Sequence, residues 1–508
     1  MSVEHPHHYT KQLPTALYTA DKTRELDRIA INEEGIPGFE LMSRAGKIAF
    51  LAMQETWPQA ENIVIYCGAG NNAGDGYVIA ALAKHAHLSV EVVQVGDPNK
   101  LKGDALTAYE EAKAADVTMG PFTGYQLKQA DVIVDALLGT GLTGEVRGDY
   151  PLAITQINQH AAPVLAIDIP SGLCSDTGQV LGSAVDAQAT VTFIGVKQGL
   201  LTGRGPQLCG ELIFGSLAVP DAVYGKVPRA SELVDSNWVA SLLPPRPRDA
   251  HKGQNGHVLV VGGDLGMGGA VAMAAEAAGR CGAGLVSVIT RPEHVAGIIA
   301  RRPECMVLGV DEGSSIEFAI EKASVIVAGP GIGRGRWGAF LLEQVLASDL
   351  PVVLDADGLN YLSILAEQSP QACQRGNWVL TPHPGEAARL LGCETADIQT
   401  NRFASLDQLM RVFAGTVLLK GAGTLIQEHG KLAQLVTTGN PGMATGGMGD
   451  VLSGVIGALV AQGLSLFEAT CAGAWLHGAA ADIAAQSSGE RGLLATDLMS
   501  PLHQLVNQ

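Results

Sequence analysis

The sequence predicts an α/β protein with two doubly wound domains, each built on a mainly parallel sheet. Three observations support this fold class. The chain has 508 residues, which is enough for two or three domains of ordinary size. Short, almost wholly apolar runs of strand length alternate with longer helix-like stretches, as expected for strands that are covered on both faces. Many of the 63 glycines stand where an apolar run ends.

Five strands are predicted in the first half of the chain and six in the second half. The first five are NIVIYCG, SVEVVQVG, ADVIVDALLG, PVLAIDIP and ATVTFIG. The next six are GHVLVVGG, GLVSVIT, ASVIVAGPG, PVVLDADG, WVLTPHPG and TVLLKGAG. Between the two series the alternation of apolar strands with helices is interrupted, and prolines and charged residues are frequent around 226–235. We therefore expect domains at 1–230 and 231–508, each long enough for one doubly wound sheet.

Composition excludes several classes of protein. The chain has 33 basic and 51 acidic residues, a net charge of −18, which argues against nonspecific binding to nucleic acid or anionic membranes. The eight cysteines are scattered and form no C-x-x-C pair, which suits reduced thiols in a cytoplasmic protein. The amino terminus has no apolar signal-peptide core, and the apolar stretch 451–461 is about half the length of a membrane span.

The first predicted strand runs into the glycine-rich segment GAGNNAGDG (68–76) and then into a helix. Gly68, Gly70 and Ala73 fit the G-x-G-x-x-A pattern, and Asp97 follows the next strand at the place of a ribose-binding acid. A simple glycine turn explains these residues equally well. The polar side chains in the same segment favour a binding loop; they are Asn71, Asn72 and Asp75.

Two further strand ends place polar residues at the same rim, because ligands of open α/β sheets lie beyond the carboxyl ends of the strands. Asp135 follows one strand, and Asp168 and Ser171 follow the next. A single aspartate at such a position usually caps a turn, but three converging loops favour a site. Asn72, Asp135 and Ser171 are hard oxygen ligands for a small cation, and the GTGLTG segment offers N–H groups to a phosphate. Asp168 is the candidate general base if its pocket raises its pKa.

The first 225 residues or so resemble the NAD(P)H-hydrate epimerase family. The resemblance rests on LYTADKTRELDRIAINEEGIPGFELMSRAG (17–46), NNAGDG, VDALLGTG and DIPSG. It implies a Rossmann-like α/β/α domain, K⁺ held by Asn72, Asp135 and Ser171, and catalysis by Asp168. It also implies a set of contacts with the hydrated nucleotide, namely Asn71, Asn72, Ala73, Gly74, Asp75, Gly139, Thr140, Gly141, Leu142, Thr143, Gly144, Glu145 and Asp168. A lysine is also implicated in this family, and Lys102 is a candidate, although a solvated loop explains Lys102 as well.

The second half ends in a glycine-rich loop that leads directly into an apolar helix, TTGNPGMATGGMGDVLSGVIGALVAQG (437–463). Gly446, Gly447 and Gly449 allow N–H groups to converge at the helix amino terminus as an anion hole for phosphoryl transfer. Asp450 lies at the mouth of this hole, where it can take a proton from an attacking hydroxyl group. An N-capping role explains Asp450 but not the density of glycine before it. No Walker motif is present.

Residues from about 235 to 508 resemble the ribokinase-like fold and, within it, the ADP-dependent NAD(P)H-hydrate dehydratases. The motifs, in order, are HKGQNGHVLVVGG, GGAVAMAAEAAGRCGAGLV, AGPGIGR, LDADGLN, TPHPGEAARLLG, KGAGT and GGMGD. The resemblance implies ADP contacts at Lys420, Gly421, Ala422, Gly423, Thr424 and Gly449, with Mg²⁺ accompanying ADP. It implies hydrate contacts at Ala270, Gly333, His383 and Asp450. A rigid turn explains His383 equally well, and turn chemistry is the safer interpretation of Asp355 and Asp357.

Together the two resemblances imply a fused metabolite-repair enzyme for NADH and NADPH hydrates. One domain would interconvert the R and S epimers, and the other would use ADP to dehydrate the S epimer, yielding AMP and phosphate. An ATP-dependent kinase for vitamin-precursor alcohols, preceded by a nucleotide-binding regulatory module, is the main alternative. A third hypothesis makes the first half a scaffold without turnover. We expect a homo-oligomer.

Overall fold

The computed structural model describes residues 9–124 and 129–507. The chain divides into two compact units, Met1–Glu232 and Leu233–Gln508. No described helix is long and apolar enough to cross a lipid bilayer. The apolar stretch 451–461 instead belongs to a buried helix of the second unit.

The first unit contains a sheet whose eight strands run in the order β1, β10, β8, β7, β6, β3, β4, β5. All neighbours are parallel except β1, which pairs antiparallel with β10. A small second ladder joins β11 antiparallel and β9 parallel to β2. The strands are β1 (Tyr9–Thr10), β2 (Ala16–Tyr18), β3 (Asn62–Cys67), β4 (Ser89–Gln94), β5 (Thr118–Pro121), β6 (Val132–Ala136), β7 (Val164–Ile167), β8 (Ala189–Phe193), β9 (Val196–Lys197), β10 (Glu211–Gly215) and β11 (Ser231–Leu233).

Helices cover both faces of this sheet. Successive strand residues point to opposite faces, and because they are apolar on both faces, each face needs a covering layer. Ile63 and Ile65 of β3 pack into the larger core, whereas Val64 and Tyr66 pack into a second core on the other face. The helices are α1 (Ala20–Asn32), α2 (Gly38–Thr56), α3 (Asn71–His85), α4 (Gly103–Ala114), α5 (Tyr150–Gln159), α6 (Gly205–Leu208) and α7 (Asp221–Lys226), with short 3-10 helices at Pro98–Lys100 and Gln198–Leu201. The chain extends from β3 through β4 to β5 and then returns to the other side of β3 with β6. The strand order therefore reverses between β3 and β6, where open α/β sheets bind their ligands.

The helix after β3 begins earlier than the sequence predicted. We expected NNAGDG to form a loop, but α3 starts at Asn71, directly after the extended residue Gly70. A Cβ atom on Gly76 would lie 2.7 Å from the Ala136 Cβ and 2.9 Å from the Cys67 Sγ. Glycine therefore lets the first turns of α3 pack tightly against β3 and β6, and the polar residues of the motif lie on a helix.

The second unit contains a sheet whose strands run in the order β14, β13, β12, β15, β16, β17, β18, β19, β20. Neighbours from β14 to β18 are parallel, and β19 and β20 extend the sheet as antiparallel strands. The strands are β12 (His257–Val261), β13 (Leu285–Thr290), β14 (Met306–Gly309), β15 (Val325–Ala328), β16 (Val352–Leu354), β17 (Trp378–Leu380), β18 (Thr416–Leu419), β19 (Thr424–Glu428) and β20 (Ala433–Val436). The sequence did not predict β14, β19 and β20: β14 lies at the sheet edge and carries exposed residues, and β19 and β20 are short strands that contain the polar residues Gln427 and Gln434.

Helices α9 and α18 both pack against α17, and the three helices form the main core of the second unit with the sheet. A Cβ atom on Gly454 would lie 2.1 Å from the Ala274 carbonyl oxygen, so glycine allows α17 to approach α9 closely. The helices are α8 (Ser236–Ser241), α9 (Gly268–Arg280), α10 (Val295–Arg301), α11 (Glu317–Ile320), α12 (Arg336–Ala347), α13 (Asp357–Gln368), α14 (Pro384–Leu391), α15 (Thr395–Thr400), α16 (Arg402–Phe413), α17 (Met448–Ala461), α18 (Leu466–Ser488) and α19 (Met499–Leu505), with 3-10 helices at Pro292–His294, Pro370–Cys373, Pro441–Met443 and Ala495–Leu498.

Candidate active sites

A buried hydrogen-bond network joins the loops that follow β6 and β7 in the first unit. The Ser171 hydroxyl group donates to the Asp135 Oδ1 at 2.6 Å, and the Ser171 N–H donates to the Asp135 Oδ2 at 2.8 Å. The Leu138 N–H donates to the Ser171 Oγ at 2.8 Å. Burial raises the pKa of Asp135 to about 6, although these donors favour the charged form. Asp135 and Ser171 thus share one site at the rim of the sheet.

Asn72 reaches the same rim from the first turn of α3. Its side chain is buried, and its Nδ2 has no hydrogen-bond partner within the described part of the chain. A Cβ atom on Gly139 would lie 3.6 Å from the Asn72 Oδ1, so this side chain contacts the loop after β6. Burying an amide without a partner costs free energy, which makes this group a good candidate for a ligand contact.

The remaining predicted contacts in the first unit differ in exposure. Ala73 and Gly74 lie inside the packed core, and a Cβ atom on Gly74 would lie 2.5 Å from the Met42 Sδ. Asn71 is exposed at the start of α3, and most of the segment 139–145 is exposed or partly exposed. Asp97 is also exposed, and its side chain caps the 3-10 helix at Pro98–Lys100 by accepting from the Asn99 N–H.

Asp168 lies at the end of β7 and forms an ion pair with Lys197. The side chain of Lys197 is only 1% exposed, and its Nζ also donates to the Thr192 Oγ1 and to the Phe193 carbonyl oxygen, each at 3.1 Å. Asp168 has a φ of +68°, a left-handed conformation that is uncommon for residues other than glycine. Such local strain is typical of functional sites.

Lys197, and not Lys102, is therefore the lysine at this carboxylate. Lys102 is exposed at the start of α4, as its solvated interpretation predicted. Two more carboxyl groups face the Asp168–Lys197 pair. Burial raises the pKa of Asp27 to about 6 and the pKa of Asp75 well above its ordinary value. The negative charge of Asp168 raises these two pKa values further, and the positive charge of Lys197 opposes the increase. The site thus combines one buried cation with three carboxyl groups.

In the second unit, a buried ion pair links the ends of β16 and β18 to α17. The Lys420 Nζ donates to the Asp355 Oδ1 at 2.6 Å, and the Ser453 hydroxyl group donates to the Asp355 Oδ2 at 2.9 Å. Burial opposes ionisation of Asp355, but Lys420 and the hydrogen bonds hold its pKa below the ordinary value. Asp355 therefore does more than terminate a turn, although its backbone carbonyl also accepts from the Gly358 N–H at 3.0 Å. Asp357 instead accepts from Arg334 at 3.1 Å at the start of α13.

The glycine-rich loop brings Asp450 to this ion pair. Gly447, at a φ of +92°, is the N-cap residue of α17, so the capping interpretation of Asp450 was wrong. A Cβ atom on Gly449 would lie 3.1 Å from both the Asp355 Oδ2 and the Lys420 Nζ. Burial and the charge of Asp355 raise the pKa of Asp450 to about 7, against the opposing effect of Lys420. A carboxylate of this kind is suited to accept a proton near neutral pH.

His383 is the N-cap residue of α14. Its Nδ1 accepts from the Gly385 N–H at 3.0 Å and the Glu386 N–H at 3.3 Å, and the Glu386 Oε2 accepts from the His383 N–H at 2.8 Å. Burial, with Lys420, lowers the pKa of His383. The capping box therefore supports the rigid-turn interpretation and holds a neutral ring with its proton on Nε2. Burial raises the pKa of Glu386 to about 7.

Ala270 lies in the first turn of α9, directly after the loop that follows β12, and Gly333 lies in the loop after β15. A Cβ atom on Gly331 would lie 3.1 Å from the Ala270 Cβ, and a Cβ atom on Gly333, at a φ of +72°, would lie 2.8 Å from the Asp264 Oδ2. These loops therefore meet at the carboxyl edge of the sheet, and positive φ together with close packing favours glycine at position 333.

Comparisons with known proteins agree with this two-unit architecture. The family model described as YjeF-related protein N-terminus matches residues 38–199, and the model described as NAD(P)H-hydrate dehydratase matches residues 258–504. A bifunctional NAD(P)H-hydrate repair enzyme from Coxiella burnetii is 50% identical to this chain over 493 residues, which cover 97% of this chain and 100% of that protein. The chain belongs to the bifunctional NAD(P)H-hydrate repair enzyme family.

Two solved structures each match about half of this repair-enzyme chain. A ribokinase-like superfamily protein from Enterococcus faecalis has a TM-score of 0.50 and 30% identity, and the match covers 54% of this chain and 95% of that chain. An ADP/ATP-dependent NAD(P)H-hydrate dehydratase from Bacillus subtilis, co-crystallised with ATP and Mg²⁺, has a TM-score of 0.48 and 27% identity over 54% of this chain and 96% of that chain. The predicted fold class, a Rossmann-like α/β/α domain followed by a ribokinase-like α/β domain, is confirmed.

The fold of this repair enzyme brings several residues to the sites that were not predicted from the sequence. Lys197 is the one charged residue in the mostly apolar run TFIGVKQGLL, and that contrast is the signal that could have identified it. Glu386 lies three residues after His383 in a capping-box spacing. Asp27 and Ser453 lie on helices and carry no comparable local signal.

Proposed function

We propose that the first unit interconverts the R and S epimers of hydrated NADH and NADPH, and that the second unit dehydrates the S epimer at the expense of ADP. The observation that carries this proposal is the environment of Asp450. Its carboxyl group lies in the first turn of α17, next to the buried Lys420–Asp355 pair, and burial raises its pKa to about 7. This arrangement is suited to phosphoryl transfer from a nucleotide to a hydroxyl group.

The dehydration follows from the chemistry of the substrate. Hydration leaves a hydroxyl group on a carbon bonded to the ring nitrogen, and hydroxide is a poor leaving group. Asp450 accepts the hydroxyl proton while the oxygen attacks the terminal phosphorus of ADP and AMP departs. The ring nitrogen then expels phosphate, and loss of a proton from the neighbouring carbon restores NADH or NADPH. Lys420 offsets negative charge that develops on the transferring group.

Epimerisation needs proton transfer to and from the hydroxyl group on the same hydrated carbon. The ring nitrogen assists cleavage of the carbon–oxygen bond while Asp168 donates a proton to the departing oxygen. Water then adds to the opposite face of the ring and returns a proton to Asp168. Lys197 holds the Asp168 carboxylate in one orientation, because its own Nζ is fixed by Thr192 and Phe193. The reaction exchanges two epimers, so it needs no net acid or base.

The proposed substrate and nucleotide contacts are those expected from the family resemblance. For the hydrate in the first unit they are Asn71, Asn72, Ala73, Gly74, Asp75, Gly139, Thr140, Gly141, Leu142, Thr143, Gly144, Glu145 and Asp168. For the hydrate in the second unit they are Ala270, Gly333, His383 and Asp450, and for ADP they are Lys420, Gly421, Ala422, Gly423, Thr424 and Gly449.

The residues of the first unit fit a K⁺ ion. Asn72, Asp135 and Ser171 offer amide, carboxylate and hydroxyl oxygens, which are ligands for a hard cation. Asp135 is fully buried and forms no ion pair among the described residues, so a cation would compensate its charge. In the second unit, Mg²⁺ would accompany ADP and screen the charge of its phosphates.

Potassium binding is testable without an activity assay. We expect K⁺ to raise the thermal unfolding temperature of the protein relative to an equal concentration of tetramethylammonium, because the ion binds the folded state only. Asp135→Asn should abolish this difference, whereas Asp97→Asn, at an exposed capping residue, should retain it. Differential scanning fluorimetry provides the measurement. An equal response of wild type and Asp135→Asn to K⁺ would contradict the proposed site.

A recovery assay tests the function as a whole. The purified chain is mixed with hydrated NADH and ADP, and the return of NADH absorbance is followed together with AMP formation. We expect both epimers to disappear, with one AMP formed for each NADH restored. Consumption of ATP with phosphorylation of a thiazole or pyrimidine alcohol, and no reaction with the hydrate, would instead support the kinase alternative. Loss of the S epimer alone would support a first unit without turnover.

We further propose that the protein works in the cytoplasm as a homo-oligomer. All eight cysteines are free thiols, which suits a reducing compartment. Light scattering coupled to size-exclusion chromatography tests the assembly, and a mass equal to that of one chain would contradict it.

A further inference from the structure

Arg402 is buried beneath the loop that is proposed to bind ADP. It is the first residue of α16, and its side chain is among the largest that are fully buried, with 1% exposure. Burial lowers its pKa to about 10, so the guanidinium group is charged at neutral pH. A buried charge is costly unless hydrogen bonds compensate it, and the partners of Arg402 therefore indicate what it stabilises.

Most of these partners are backbone carbonyl groups of one loop. The Nη2 donates to the carbonyl oxygens of Leu419, Lys420 and Gly423, each at 3.2 Å. The Nη1 donates to the Lys420 carbonyl oxygen and to the Gln399 Oε1, each at 3.3 Å. A single planar group thus holds both ends of the turn between β18 and β19.

These bonds determine which side of the loop faces outward. The described peptide bonds are all trans, and in a trans peptide the N–H points opposite to the C=O. Because the Lys420 carbonyl points toward Arg402, the Gly421 N–H points away from it. Gly421 and Ala422 are exposed on that outer side. A Cβ atom on Gly421 would lie 2.7 Å from the Arg402 Nη1, and its φ is +140°, so glycine permits the close approach.

We propose that Arg402 is a positioning residue for the nucleotide: it binds the carbonyl side of the Lys420–Thr424 loop and thereby presents the opposite, N–H side of the loop to ADP. It acts through the loop and does not touch the nucleotide. It also fixes the backbone of Lys420, whose Nζ binds Asp355. This inference rests on the proposed function, because it assumes that ADP binds at this loop.

Calorimetric titration of ADP into the full-length chain tests the inference. We expect Arg402→Met to weaken ADP binding by about tenfold or more, because several charge-assisted hydrogen bonds are lost together. The KM for ADP should rise by a similar factor, while kcat at saturating ADP and the KM for the hydrate change by less than about twofold. Arg402→Lys should recover part of the affinity, since one ammonium group cannot reach all of the carbonyls. Arg411→Met, at an exposed position of the same helix, should bind ADP like the wild type.

Two results would overturn the inference while leaving the proposed function intact. One is unchanged ADP affinity in Arg402→Met with epimerase activity and circular dichroism like those of the wild type. The other is a fall in kcat with no change in the KM for ADP, which would indicate a purely structural role. If Arg402→Met does not fold, Arg402→Lys decides, and wild-type affinity in that variant overturns the inference. Failure of the wild type itself to bind ADP would overturn the proposed function and the inference together.

Discussion

Single carboxyl groups in this protein acquire different properties from their neighbours. Asp355 and Asp450 both lie next to Lys420, but only Asp355 accepts its hydrogen bond and that of Ser453. The pKa of Asp355 is therefore lowered, whereas burial and the charge of Asp355 raise that of Asp450 to about 7. Two aspartates in one site therefore have different roles: Asp355 remains ionised, and Asp450 can accept a proton.

The first prediction concerns the pH dependence of dehydration. Asp450 must be ionised to accept a proton, so kcat/KM should fall as the pH decreases through about 7. Asp450→Asn should lower the dehydration rate by about 10²-fold or more and leave epimerisation unchanged. Asp355→Asn should shift the acidic limb of the profile to lower pH, because it removes a negative charge that raises the pKa of Asp450. Asp357→Asn serves as the control. An acidic limb at the same pH in wild type and Asp355→Asn would contradict this coupling.

The second prediction concerns the lysine of the epimerase site. Lys197→Met should slow R-to-S conversion by about tenfold to a thousandfold, because it removes the partner that orients Asp168. The exposed Lys102→Met should convert the epimers at the wild-type rate. Chromatographic separation of the epimers against time gives both rates, after subtraction of the spontaneous reaction. Equal effects of the two substitutions would remove Lys197 from the mechanism.

The packing at the amino-terminal end of α17 requires glycine at some positions and not at others. Gly449 packs against Asp355 and Lys420, and a Cβ atom on it would lie 3.1 Å from the nearest side-chain atom of each. Gly446 is exposed and has nothing within 4 Å of its Cβ position. The glycines that looked alike in the sequence are therefore not equivalent, since only the fold shows which of them face a buried charge pair.

A third prediction follows from this difference. Gly449→Ala should lower ADP-dependent dehydration by about tenfold or more, because its methyl group crowds Lys420 and the space beside Asp450. Gly446→Ala should remain within about twofold of the wild type. Steady-state assays at varied ADP concentration give both values. If Gly446→Ala were the more damaging substitution, the proposed packing of the loop would be wrong.

All eleven predicted strands are present, because each is a mostly apolar run with residues buried in the core. The strands that were not predicted are short or contain polar residues; they are β1, β2, β5, β9, β10, β11, β14, β19 and β20. In β14, at one edge of the sheet, Met306 and Leu308 are exposed. The segment NNAGDG was assigned to a loop because glycine and asparagine are poor helix formers. Close packing of α3 on β3 and β6 overrides that propensity.

At the scale of the whole molecule, buried carboxyl groups with raised pKa values make stability depend on pH. The pKa values are about 6 for Asp27 and Asp135 and about 7 for Glu386 and Asp450. A carboxyl group whose folded pKa exceeds its unfolded value stabilises the fold when protonated, and this contribution is lost as the pH rises through the folded pKa. Burial lowers the pKa of His477 to about 4, which opposes the trend at acidic pH.

A fourth prediction follows for thermal unfolding. In buffer without K⁺ and nucleotide, the unfolding temperature should be higher at pH 6.5 than at pH 8, because the folded chain takes up protons at Glu386 and Asp450 over this interval. The difference should be smaller in Asp450→Asn, which has one raised carboxyl group fewer. Scanning calorimetry at the two pH values measures both. An unfolding temperature that rises between pH 6.5 and 8 would contradict the expected sign.

Four features could be predicted from the sequence because apolar runs and clustered glycines are local signals: the fold class, the order of the strands along the chain, the strand ends that carry Asp135 and Asp168, and the glycine-rich loop before Asp450. Which side chains contact one another is visible only in the folded protein. Lys197, and not Lys102, forms an ion pair with Asp168, and Asp355 forms a buried ion pair with Lys420. Contacts between residues far apart in the chain depend on the order of the strands within the sheet and on burial. A short stretch of sequence does not determine either of these.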